Sequence, residues 1–179
     1  MSGGIVILTG PPGAGKTALA RRLAETSAEP AVHLVCDRFF DAIRAGFIAP
    51  SLPESNDQNR TVNQAIAAAA VRYAEGGFAV FVDGVIGPWF LDIFQGAARE
   101  AGVPLDYIVL RLPREAAVSR ARDRAESPLA DYPPNIFEGF ANVGGLETHV
   151  LEIGDAGLDD VAEAVRAGMR SGRFRVGMI

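Results

Sequence analysis

The 179-residue sequence has a single cysteine, Cys36, so no internal disulfide can form, as suits a reducing compartment. It has no block of basic residues, and its net charge is −5. Binding a phosphate backbone needs a concentrated positive surface, so no nucleic-acid partner is expected. A local basic pocket for a small anion stays open. No apolar run approaches the ~20 residues of a membrane span, so no membrane partner is expected. The run from Gly3 to Leu8 is too short for a secretory signal, and no cationic segment precedes it. The expected location is cytoplasmic. No repeat, low-complexity tract or linker divides the chain, so residues 1–179 are expected to form one domain. Monomer and homodimer both remain open.

What is present is an alternation of apolar runs and helical patterns. Ile5 to Leu8 is short, continuous and branched, the signature of a strand buried on both faces. Ala31 to Cys36, Phe78 to Val82, Tyr107 to Leu112 and His149 to Ile153 give four more strands. Helices are expected from Lys16 to about Thr26, from Asp57 to Glu75, from Pro88 to a stop at Gly102, and from Arg114 to Glu126. Leu158, Val161, Val165 and Met169 mark a last helix, and Ile136, Phe137, Phe140 and Val143 a short one. Phe39, Ile43 and Phe47 also recur at helical spacing, before a proline-containing loop over residues 48–56. Five strands separated by helices imply an α/β fold, a parallel sheet with helices on both faces. His33 and His149 fall inside strand candidates and are read as structural, and Trp89 and the phenylalanines as core.

The segment Gly10-Pro11-Pro12-Gly13-Ala14-Gly15-Lys16-Thr17 has the phosphate-loop (P-loop) pattern, with a strand before it and a helix after it. A nucleoside triphosphate carries several negative charges that must be met in a partly dry site. Successive backbone N–H groups at a helix N-terminus meet them, and the helix dipole adds to the attraction. Pro11 and Pro12 have no N–H to offer, so Gly13, Ala14, Gly15, Lys16 and Thr17 supply the donors, with Gly10 opening the loop. The Lys16 ammonium is expected on the β- and γ-phosphates, and the Thr17 hydroxyl on Mg²⁺, a hard cation that prefers oxygen.

Ligands of parallel sheets sit beyond the carboxyl ends of the strands, and two aspartates fall there. Asp83 ends the third strand and is a candidate Mg²⁺-side carboxylate; its alternative is an ordinary Asp-Gly turn. Asp37 ends the second strand. It is a candidate general base toward, or ligand of, a substrate hydroxyl; its alternative is a helix N-cap, and both can hold at once. Asp41 reads as a salt-bridge partner. Arg120 and Arg124 share a helix face before a loose segment over residues 127–147, where a lid is expected. They are either catalytic cations for a transferring phosphoryl group or a solvated face. Arg60 is a candidate for an anionic group of the substrate, with a surface ion pair as its alternative.

On these residues the chain resembles the small P-loop kinase superfamily, which includes shikimate, gluconate and adenylate kinases and chloramphenicol phosphotransferase. It looks closest to compact kinase-like ATP-binding proteins of unassigned substrate. The resemblance implies a P-loop NTPase fold with strand order 2-3-1-4-5, a lid, and an acceptor site beside the second strand. It implies ATP and Mg²⁺ as cofactors, Lys16 and Thr17 as phosphate and metal positions, Asp37 on the acceptor side, and Arg120 and Arg124 on the lid helix. It also places the adenine ring near Gly154 to Gly157. Shikimate kinases carry Asp-x-Asp after the second strand and Gly-Gly after the third. Here the chain reads Asp37-Arg38-Phe39 and Asp83-Gly84-Val85, which counts against shikimate as acceptor. The expected function is phosphoryl transfer from ATP to a hydroxyl of a small molecule, such as a sugar acid, nucleoside or antibiotic. A nucleotide-binding switch or an ATPase without an acceptor is the competing reading.

Overall fold

The computed structural model describes residues 3–113 and 134–177. The expected helix over residues 114–126, with Arg120 and Arg124, and residues 127–133 of the expected lid lie outside these. Five strands, β1 (Ile5–Thr9), β2 (Ala31–Val35), β3 (Ala79–Asp83), β4 (Leu105–Arg111) and β5 (Val150–Glu152), form one sheet in the order β2-β3-β1-β4-β5. Every pairing within it is parallel. This is the expected P-loop fold and strand order.

The order explains the burial. β1 lies at the centre and is buried at every position, so it needs apolar side chains on both faces. Ile5 and Ile7 face one way, onto α3 (Asn56–Glu75) and α4 (Leu91–Ala101), in a core with Ile66, Ala70, Val82 and Phe94. Val6 and Leu8 face the other way, onto α1 (Lys16–Glu25) and α6 (Leu158–Ser171), in a core with Leu19, Leu23, Ile108 and Val165. β2 is an edge strand, and its five residues are only partly buried.

Several local expectations need correction. α2 spans only Cys36–Asp41, so the helical spacing does not extend through Ile43 to Phe47. The helix has already ended when Gly46 takes φ 73°, a left-handed conformation that a helix could not continue through, and Phe47 is 51% exposed. His149 is not in a strand but ends a 3₁₀ turn, Gly144–His149, where its Nδ1 bonds the Tyr107 carbonyl oxygen. Trp89 is not core: it is 48% exposed, with its ring over Gly87 and Gly139 and beside Phe90 and Phe140. Within residues 134–147, α5 (Pro134–Ala141) sends Phe140 into the α3/α4 core, and Val143 follows it. Arg111 at the end of β4 holds this segment, donating to the Phe140 carbonyl and pairing with Glu147 and Glu152. Among the described residues no helix is long and apolar enough to cross a membrane.

The loop after β3 is fixed from beneath. The Ile86 N–H donates to Thr9 Oγ1 at 2.9 Å, and the Ile86 carbonyl accepts from the Tyr107 hydroxyl at 2.7 Å. Both bonds are buried, so neither group has water as a substitute. Burial alone pushes the Tyr107 phenol well above its usual range, and it stays a donor. Tyr107→Phe leaves the Ile86 carbonyl without its donor, and we expect a loss of about 1–3 kcal/mol. Urea unfolding measures it; an unchanged midpoint would show that the loop holds without this bond.

Candidate active site

The site assembles where β1, β2 and β3 end. The P-loop leaves β1 at Gly10, whose φ of 141° is open to glycine, and a Cβ there would lie 2.3 Å from the Leu110 carbonyl oxygen. The loop therefore lies directly on β4. Gly15, in the left-handed region, turns the chain into α1, where the Leu19 N–H makes an early helix bond to the Gly15 carbonyl. The first N–H groups of a helix have no partner within it, so those of Lys16 and Thr17 point out of its N-terminus. The Ala14 N–H donates to the Pro11 carbonyl at 3.2 Å, which sets the loop's curvature.

Lys16, the chain's only lysine, curls back under the loop. Its Nζ donates to the carbonyls of Gly10 at 3.0 Å and Pro11 at 2.9 Å. Burial lowers its pKa from 10.5 to about 8, against the opposing pull of the Asp83 and Asp37 carboxylates. The amine thus remains charged at neutral pH but titrates far below an exposed lysine.

Asp83 is buried, and both its oxygens are engaged. Oδ1 accepts from the Thr17 hydroxyl at 2.9 Å, and Oδ2 from His33 Nε2. This is more than a solvated Asp-Gly turn. The adjacent Gly84 has a packing reason: a Cβ there would lie 2.5 Å from Cys36 Sγ, so the start of α2 can rest on the end of β3 only if residue 84 has no side chain. Burial raises the Cys36 thiol far above its ordinary range, and it stays protonated and unreactive.

The same contact brings Asp37 to the site. The N-cap of α2 is Val35, with no side-chain cap, so Asp37 is a first-turn residue and not the cap. Its carboxyl pKa is raised, first by burial and then by the Asp83 charge, while Lys16 opposes the shift. It accepts no hydrogen bond among the described residues. Asp41 pairs with Arg38 at 3.7 Å, as expected. Arg60 lies on α3 and pairs with Asp92 at 3.1 Å, with both partners partly exposed.

The chain over residues 48–52 is tied to α3. Gln58 bonds both the N–H and the carbonyl of Ile48, and Asn59 Nδ2 donates to the Pro50 carbonyl and to Ser55 Oγ. Asn59 Oδ1 is buried with no donor among the described residues. Thus Lys16, Thr17, Asp37 and Asp83 come together, Arg60 stands in its own ion pair, and Arg120 and Arg124 lie outside the described residues. The donor set fits a hard divalent cation: a threonine hydroxyl and a carboxylate, already hydrogen-bonded to each other, beside a phosphate-binding loop. His33, read from the sequence as structural, joins this cluster through its bond to Asp83. Its signal was faint: it is the one polar residue in β2.

The lysine makes a pH prediction. A bound polyphosphate stabilises the protonated amine, so binding takes up a proton once the free amine has begun to lose its own. Metal-free nucleotide affinity should hold below about pH 8 and then fall by up to ~10-fold per pH unit as Lys16 deprotonates. With one lysine, a ¹⁵Nζ-lysine NMR titration reads the same group directly. A midpoint near 10.5, as for an exposed lysine, would show that burial does not depress it.

A family model described as AAA domain matches residues 5–135. Comparison with curated proteins finds no match. Among solved structures, an APS kinase of Mycobacterium tuberculosis, in complex with AMPPNP and APS, superposes with a TM-score of 0.72 at 18% identity, covering 94% of this chain and 98% of that one. A gluconokinase of Sinorhizobium meliloti gives 0.66 at 16% identity, covering 94% and 92%. A shikimate kinase of Acinetobacter baumannii, in complex with shikimate, gives 0.63 at 18% identity, covering 95% and 94%. At these identities the solved structures speak to the fold. The family match, which spans well over half of the sequence, speaks to descent: the chain belongs to the AAA domain family.

Proposed function

We infer that this protein is an ATP-dependent phosphotransferase that moves the γ-phosphoryl group to a hydroxyl of a small molecule. One observation carries the reading. Asp37, a carboxylate with a raised pKa and no donor among the described residues, stands in the field of the phosphate-loop lysine. A general base needs such a pKa, closer to the operating pH than that of an exposed carboxylate. The structural relatives, which are kinases of small molecules, support the same choice.

In this reading the P-loop amides and the Lys16 ammonium bind the β- and γ-phosphates. Asp37 takes the proton of the acceptor hydroxyl as that oxygen bonds to the γ-phosphorus. The bond from that phosphorus to the β–γ bridging oxygen breaks, and ADP leaves. Thr17 and Asp83 would hold Mg²⁺, which when bound neutralises charge on the phosphate oxygens. Arg60 is assigned to an anionic group of the acceptor, for which it would exchange Asp92. Arg120 and Arg124 are assigned to the charge of the transferring group.

The test is a screen with labelled ATP across sugars, nucleosides and hydroxylated antibiotics, repeated with Asp37→Asn. The variant should keep its ATP affinity and lose transfer by about 10²–10⁴-fold. Transfer at the parent rate would remove Asp37 from the chemistry. Hydrolysis that proceeds equally well without any acceptor, with no labelled product, would favour the ATPase reading.

A further inference from the structure

The two histidines of this chain have different jobs. His149 bonds a backbone carbonyl inside the fold, as a structural histidine does. His33 instead donates from Nε2 to Oδ2 of Asp83, the carboxylate whose other oxygen holds the Thr17 hydroxyl. The three side chains form a line from the edge strand, through β3, to the first turn of α1. In register, His33 sits beside Phe81 and Val35 beside Asp83, so the imidazole reaches forward along the strand to the carboxylate.

We propose that His33 is a positioning residue for the divalent-cation site: by occupying Oδ2 of Asp83, it aims Oδ1 at Thr17. The inference rests on the reading of Thr17 and Asp83 as the metal side of the site. A threonine hydroxyl has one proton and two lone pairs. When Asp83 takes the proton, the lone pairs are left for the cation of a metal–nucleotide complex. That orientation lasts only while the carboxylate plane is fixed.

A buried carboxylate with one oxygen unmatched would seek another donor. Lys16, which already feels the Asp83 charge, is the cation at hand. An unpinned Asp83 would therefore misdirect Thr17 and compete with phosphate for the ammonium. Partners one shell out from a metal commonly tune its affinity in this way.

The experiment titrates Mg²⁺ into the full-length protein with AMPPNP and reads nucleotide affinity by calorimetry, so no turnover is needed. His33→Leu should melt at a lower temperature but stay folded under assay conditions, and raise the Mg²⁺ concentration for half-maximal effect by about 10–100-fold. His33→Gln, which can place an N–H near the Nε2 position, should recover most of the loss. Should the leucine variant melt below assay temperature, His33→Phe removes the donor with more volume retained. In an Asp83→Asn background, His33→Leu should add nothing, because its effect runs through the carboxylate. A parent-like Mg²⁺ response in His33→Leu, beside a lost response in Asp83→Asn, would overturn the role of His33 alone. A parent-like response in Asp83→Asn would instead overturn the metal reading of Asp83, and this inference with it.

Discussion

A carboxylate that is almost wholly buried must have both oxygens met, because an unpaired buried charge costs several kcal/mol or more. Asp83 is under that constraint, and its solution organises the site. One oxygen takes its donor from α1, through Thr17, and the other from the edge strand β2, through His33. The strand order makes this possible. β3 has β2 on one side and β1 on the other, and β1 runs directly into the P-loop and α1. A strand in any other position of this sheet would lack one of those neighbours. The same order leaves Gly84 at the end of β3, where its missing side chain admits the start of α2 and with it Asp37.

The features legible in the sequence were those decided locally. The continuous apolar run of β1, the glycine spacing of the P-loop, Asp83 at the end of β3 and Asp37 just past the end of β2 are each contained in a few neighbouring residues. The alternation of runs and helical stripes was enough for a parallel sheet, and the strand order came from resemblance. The contact between His33 and Asp83 was not legible, because it depends on the register between two strands whose partners lie 50 residues apart. Period-based readings failed where backbone geometry or exposure overrode the pattern. Phe39, Ile43 and Phe47 keep helical spacing, yet Gly46 adopts a left-handed conformation and the helix has already stopped at Asp41. Trp89 is large and apolar, yet only part of its ring finds a surface to cover. Size and hydropathy report what a residue prefers to bury against, not whether the fold supplies it.

Two carboxylates at adjacent strand ends would be interchangeable by sequence, and their surroundings separate them. Asp83 is anchored by two donors and cannot swing toward a ligand without breaking one of those bonds. Asp37 has neither anchor, and both burial and the nearby Asp83 charge make its proton easier to hold. A group that must capture a proton during reaction benefits from that freedom and that raised affinity. A group that must hold a hydroxyl steady toward a cation benefits from rigidity. Lys16 stands between the two demands, attracted by both carboxylates while burial works against its charge. One ammonium cannot balance a triphosphate, so on the proposed reading the divalent ion and further arginines must supply the remainder. The sequence offers Arg120 and Arg124 for that purpose, on the segment that follows β4. The described part of the site fixes the carboxylates and the phosphate loop, so on the proposed reading the rest of the positive charge comes with the nucleotide as its divalent ion or from those arginines.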